Sequence, residues 1–361
     1  MLLNEIFSSI DRHHPYPTLD DPFEVVVLAT PQMMSRLAEA VFLQADVTFP
    51  EMRDFRYLLN LVTFNYETLL FQTVARVLMN NLSSFAYKFA FSKVFEIATV
   101  LHPEFEKGQN LKAVILDFST AQREGLSEVL GENSASKTIR GCEVHYQRNV
   151  KKVADKICVD KDSKEVFKKI AYKIPYLEHQ EDVTLAFTIL TGKAKMSLPE
   201  AKKLLIETVG LTKQQLTVDS SWSKATDWAK FWQRPKIAKM FTKAFKEMCD
   251  ADWEICAKTT NAVESQNKLS KVDTSALLPV LESLYSTDRQ NAYREVAVKN
   301  GISTGVSEAK RTTQNKKKSI ARKKPKVHTE EDEDVLETSL TDATSSATVR
   351  VFVSFFCYLL L

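Results

Sequence analysis

Glycine is scarce in this 361-residue chain, at 8 residues, and neither GxGxxG nor GxxxxGK[ST] occurs. A glycine-rich loop that cradles phosphate through its backbone amides is therefore not expected. Cysteine pairs are missing as well. The five cysteines, Cys142, Cys158, Cys249, Cys256 and Cys357, include no CxxC, and their number is odd. This excludes a disulfide framework and points to a reducing compartment. Long apolar runs are also lacking. The C-terminal run Val349–Leu361 spans 13 residues and is broken by Arg350, whereas a spanning helix needs about 20 apolar residues. No membrane association is expected. The opening MLLNEIFSSIDRHHPYP is too interrupted by polar and acidic residues to read as a secretory signal.

The apolar content of 44% and charged content of 26% are those of an ordinary folded chain. The net charge of +3 conceals an uneven distribution. Residues 1–145 carry 12 Lys/Arg and 18 Asp/Glu, a net of −6, and residues 146–250 carry 21 against 13, a net of +8. An acidic unit suits bound cations and a basic unit suits phosphate, although solvated helix faces of arbitrary sign give the same arithmetic.

Local patterns order the first half. FEVVVLA reads as a strand, followed by a helix capped by Thr30 with Pro31 at its first position. In VFLQADVTF (41–49) Val41, Leu43, Ala45, Val47 and Phe49 alternate with Phe42, Gln44, Asp46 and Thr48. That alternation is a strand with Asp46 facing away from the aliphatic side. Residues 55–65 and 68–79, split by Tyr66-Glu67, read as an antiparallel hairpin. Residues 84–101 have helical spacing with Phe85, Phe89, Val94, Phe95 and Ala98 inward. LKAVILDF (111–118) is a continuous apolar run of the kind that forms a strand buried on both faces. Ser119 and Gln122 then have capping-box spacing for a helix ending at Gly131, and Thr138–Val144 reads as a short strand. Residues 146–258 are mostly helical and Lys-rich, and a final helix begins near Asn261.

The sequence divides accordingly into a lead-in (1–40), an α/β core (41–145), a helical insertion (146–258), closing core helices (259–300) and a tail (301–361). The tail has the composition of disorder, with nine Lys/Arg and no acid in 310–326, then an acidic run from Glu330 to Asp334. Its clusters Lys316-Lys317-Lys318 and Arg322-Lys323-Lys324 with Lys326 read as nuclear-import or nucleic-acid patches. A nuclear location is expected.

Three acids stand out: Asp46 on the first core strand, Asp117 at the end of the buried strand, and Glu264 at the start of the last helix. A carboxylate at the end of an apolar strand is costly without a partner or a cation. Adjacent strands would bring Asp46 and Asp117 together, and hard divalent cations take such oxygen ligands. Plainer readings exist. Asp117 simply ends a strand, Asp46 pairs with an arginine, and Asn261-x-x-Glu264 is a capping box.

QADVTF, LKAVILDFSTAQREGL, GCEVHYQRNVKKVADKI and TTNAVESQNK, in this order, resemble the transposase domain of Mutator-like elements over roughly residues 25–270. The resemblance implies a ribonuclease-H-like mixed-sheet core interrupted by an all-helical insertion. It places Asp46, Asp117 and Glu264 as a catalytic Asp-Asp-Glu set holding two magnesium or manganese ions. It implies metal-dependent DNA strand cleavage and strand transfer, with transposon ends and target DNA as partners and a homodimer or larger assembly. Cys142-x-x-His145 matches the family's CxxH motif. Structural zinc takes four ligands, and no further pair has convincing spacing, so zinc is not expected and a local structural or DNA-positioning role is favoured. Trp222, Trp228, Phe231 and Trp232 read first as the insertion's core, and second as base-stacking groups beside Lys224, Lys230, Arg234 and Lys236. The CxC…HxH module that follows the core in many family members is missing. The alternative class is therefore a transposase-derived, catalytically silent DNA-binding or interaction protein.

Overall fold

The computed structural model describes residues 24–49, 55–158, 160–216, 220–264 and 277–302. The tail with its basic clusters and apolar end lies outside the described residues, apart from its first two positions. Among the described residues, no helix is long and apolar enough to cross a membrane.

Six strands form one mixed sheet. They are β1 (Val25–Leu28), β2 (Phe42–Thr48), β3 (Tyr57–Asn65), β4 (Leu70–Met79), β5 (Ala113–Leu116) and β6 (Ile139–Gly141), in the spatial order β1-β4-β3-β2-β5-β6. The expected hairpin is β3–β4, antiparallel, with a register shift between Leu61 and Val62. β2 continues the antiparallel run on β3, while β5 and β6 join in parallel. The fold class is thus α/β with a mixed sheet, as the alternation of patterns indicates.

Helices follow from their caps. Thr30 Oγ1 accepts from Met33 N at the start of α1 (Pro31–Ala38), and Pro31 occupies the first turn, where its missing N–H costs nothing. α2 (Ser84–Leu101) is capped by Ser83, and α3 (Thr120–Leu130) by Ser119. Gly131 ends α3 at φ +82°, a left-handed value that favours glycine. The short α4 (Glu132–Thr138) leads into β6, which stops after three residues because α5 (Glu143–Ile157) begins directly behind it. The strand expected over Thr138–Val144 is therefore shorter than its apolar pattern, as Cys142 becomes a helix N-cap.

One face of the sheet packs on α1, α2 and α3 through Leu43, Ala45, Val114 and Leu116. α2 uses Val94, Phe95 and Ala98 inward as expected, but Phe85 is exposed and packs on Phe89 at the helix start. The helices after α5 are α6 (Lys161–Lys173), α7 (Gln180–Leu190), α8 (Pro199–Lys203), α9 (Thr226–Trp232), α10 (Pro235–Phe241) and α11 (Asp250–Ile255). Their apolar side chains are continuous with the sheet's core. Trp232 packs on Phe118, Tyr146 and Phe241.

The opposite sheet face carries Phe42, Ala113, Ile115 and Cys142 against Met248, Trp253 and Cys256. α12 (Leu277–Lys299) docks elsewhere, through Arg36 of α1. That buried guanidinium pairs with Asp288 and Glu295, and Thr30 Oγ1 donates to Asp288 at 2.7 Å. Burial opposes the charge on Arg36, and the two carboxylates outweigh it.

α2 and α3 cross where a side chain is least tolerable. A Cβ on Gly125 would stand 2.5 Å from Tyr87 Cβ and 2.6 Å from Ser84 O. Gly125→Ala must push the helices apart, an overpacking cost of about 1–3 kcal/mol. The expected outcome is a lower urea midpoint with an unchanged slope.

Candidate functional site

The pairing of β2 with β5 positions the first two acids. Phe42 lies opposite Ala113, Leu43 opposite Val114 and Gln44 opposite Ile115. This is an offset of 71 residues (113 − 42), which equals 117 − 46, so the same register carried two steps past the ladder sets Asp46 beside Asp117. Both share the sheet face of Phe42 and Ile115, away from the α1–α3 core, as strand alternation requires. Asp46 lies opposite Asn60 on β3 and is 7% exposed.

The third acid arrives through the end of β6. Cys142 N donates to Leu116 O at 2.8 Å, so Cys142 stands one residue from Asp117. Glu143 N then donates to Lys258 O at 2.8 Å, and Thr260 donates to Cys142 Sγ through its N (3.2 Å) and its Oγ1 (3.1 Å). These bonds hold 258–260 against the start of α5. The helical turn 261–264 begins there, with Glu264 N on Thr260 O at 3.0 Å.

Glu264 turns toward α5. Both of its carboxylate oxygens accept from Arg148, at 3.0 Å each, and Oε1 lies 4.0 Å from His145 Nε2. His145 Nδ1 and Asp117 Oδ1 form an ion pair at 2.9 Å. His145 and Arg148, three residues apart, share one face of α5.

Electrostatics follow from this crowding. Burial, and then the charge of Asp117, push the Asp46 carboxyl from 3.8 up to about 7, with Glu264 adding to the rise and His145 opposing it. Burial disfavours the imidazolium of His145, but Asp117 and Cys142 more than offset it and raise the group to about 10. Burial likewise raises the Cys142 thiol, while His145 and Thr260 pull it lower on balance.

The structure therefore brings Asp46, Asp117 and Glu264 within electrostatic reach of one another. Cys142 and His145 belong to the same cluster. Arg148, inside the motif GCEVHYQRN, is an addition that the sequence reading left out; its i, i+3 spacing from His145 was the available signal. Asp117, Cys142 and His145 offer three ligand atoms within 4.8 Å of one another. The close carboxyls of Asp46 and Asp117 fit a bound cation, which would relieve the repulsion that helps raise Asp46.

Trp222 is a correction to one candidate role. Trp222 is wholly buried against Phe167, and its indole N–H donates to Ser163, so it presents no ring for a base. Trp228 and Trp232 both donate to Asn149 Oδ1, at 2.8 and 3.3 Å. Trp222 and Trp232 are buried in the core, whereas Trp228 and Phe231 are half-buried against it. Lys224, Lys230, Arg234 and Lys236 remain exposed. Lys230 pairs with Asp227 at the surface, a contact of little energetic weight. No family model, curated protein or solved structure matches the chain.

The raised Asp46 has a pH signature. The native state holds its proton up to about pH 7 while the unfolded chain releases it near 3.8, so this group lowers stability progressively as pH rises from about 4 to about 7. Asp46→Asn removes the penalty. In chelator, it is expected to unfold later than the native sequence at pH 8, by on the order of 2 kcal/mol, with no gain at pH 4. Paired denaturation curves at the two pH values measure this; a pH-independent difference contradicts it.

Proposed function

We propose that this chain is the catalytic region of a DDE-type DNA transposase with a ribonuclease-H-like core. What carries the reading is the meeting of Asp46, Asp117 and Glu264, which lie 71 and 147 residues apart in sequence. The sheet order supports it too. An antiparallel run of four strands, β1-β4-β3-β2, followed by β5 and β6 in parallel beside the first acid's strand, is compatible with the ribonuclease-H-like mixed sheet that the Mutator-like resemblance implies.

Asp46, Asp117 and Glu264 would hold two magnesium or manganese ions, whose chemistry is to activate the nucleophile and stabilise charge on the attacked phosphate. The chain's own groups prepare that site. Asp46 must release the proton it keeps near neutrality, and binding of cations favours the ionised form. Arg148 fixes the Glu264 carboxylate by a two-pronged contact, the geometry best suited to orienting it. His145 holds a proton beside Asp117. Exposed Lys224, Lys230, Arg234 and Lys236 on the basic insertion hold DNA phosphates, with little base specificity. In this reading transposon ends and target DNA are the partners, the chain works as a homodimer or larger assembly, and it works in the nucleus.

One observation favours the silent-descendant reading: Arg148 and His145 already supply positive charge to Glu264 and Asp117, so the acids are partly balanced without any ion. Cleavage separates the two. With magnesium or manganese, the protein is expected to cut nicked or branched DNA. Asp117→Ala should lose at least about a hundredfold in rate, more than a change outside the ligand set costs, while DNA binding by fluorescence anisotropy is retained. Equal cutting by both proteins overturns the proposal, and DNA binding without any cutting favours the silent descendant.

A further inference from the structure

Cys142-x-x-His145 has chemistry that the three carboxyls do not use. The parallel pairing of β5 with β6 sets Cys142 beside Asp117, and the first turn of α5 adds His145. A carboxylate oxygen, a thiol sulfur and an imidazole nitrogen thus stand within 4.8 Å of one another. Asp117 Oδ1 and His145 Nδ1 are buried atoms that meet as an ion pair at 2.9 Å. Cys142 is fully buried, and its sulfur receives two donors from Thr260. Donors of this kind orient a metal-binding side chain and tune its ligand atom.

We propose that Asp117, Cys142 and His145 form a site for one thiophilic divalent cation of the zinc class, which on binding displaces to solvent the protons of the Cys142 thiol and of the His145 imidazolium. Its ligand chemistry differs from the all-oxygen set of Asp46, Asp117 and Glu264. Magnesium keeps oxygen ligands, whereas zinc accepts sulfur, nitrogen and oxygen together. Sulfur and nitrogen ligands of a tetrahedral zinc stand about 3.5 Å apart, so side-chain rotation closing the cluster by about 1 Å completes the set. Three protein ligands leave a fourth position for water or an incoming group. The spacing of the motif supplied only two ligands, which is why zinc was not expected; strand order supplies the third. Because Asp117 belongs to both sets, zinc withdraws it from the oxygen set and inhibits cutting. That consequence, unlike binding, rests on the strand-cleavage reading.

Cobalt(II) added to the full chain is the probe for this site. The native protein is expected to develop thiolate-to-cobalt charge-transfer absorbance that zinc displaces. Asp46→Asn should keep the band and Cys142→Ser should lose it. No band in the native protein, a band that survives Cys142→Ser, or a band lost in Asp46→Asn overturns the proposal. Since Cys142 is buried, zinc-edge X-ray absorption on the native protein serves as the check independent of any variant. One sulfur at about 2.3 Å is expected, and a shell of oxygen and nitrogen alone refutes the site. A protein that shows the band and the sulfur yet never cuts DNA upholds the zinc site and fails the cleavage reading.

Discussion

The parallel pairing of β2 with β5 at an offset of 71 residues is the constraint on which the site depends. It forces two carboxyls, Asp46 and Asp117, onto neighbouring strand ends of the same sheet face. Like charges so placed cannot both ionise cheaply in a partly dry setting. The groups around them answer this: burial and Asp117 raise the Asp46 carboxyl toward neutrality, an imidazole stands against Asp117, and a guanidinium holds Glu264. The core that enforces this pairing is large and continuous, from Leu43 and Val114 on the sheet to Trp232 and Phe241 in the helical region. Apolar burial thus holds a charge arrangement that would disperse if the strands were free.

The second constraint is the junction at the end of β6. Two backbone-level ties meet here, Cys142 to Leu116 and Glu143 to Lys258, and the second joins segments 115 residues apart in sequence (258 − 143). They convert the end of the helical region into a fixed launch point for Glu264. Aromatic packing around Trp232 and Asn149 stiffens α5, the helix that carries His145 and Arg148. The helical region therefore supports the acidic cluster as well as offering basic surface.

Much of this was legible locally. Strand alternation placed Asp46 on the side away from the aliphatics, and caps at Thr30 and Ser119 mark helix starts because side-chain oxygens there meet free backbone amides. What was hidden depends on tertiary placement. Arg148 reads as one more basic residue of a Lys-rich helix until 258–264 is laid beside it. Asp117 as a partner of Cys142 and His145 requires knowing that β6 lies parallel to β5. Phe85 had the right period for the core but sits in the first turn of α2, beyond the edge of the sheet's packing. Trp222 carried two readings, and burial of its ring decides between them.

If the three carboxyls converge to hold divalent cations, the ions can be located between them. Anomalous X-ray scattering at the manganese edge, from crystals grown with manganese, tests it most directly. Manganese peaks bounded by Asp46, Asp117 and Glu264 are expected, with Arg148 drawn off at least one oxygen of Glu264. Crystals soaked in manganese that show no peak there, with Arg148 still holding both oxygens of Glu264, would contradict it.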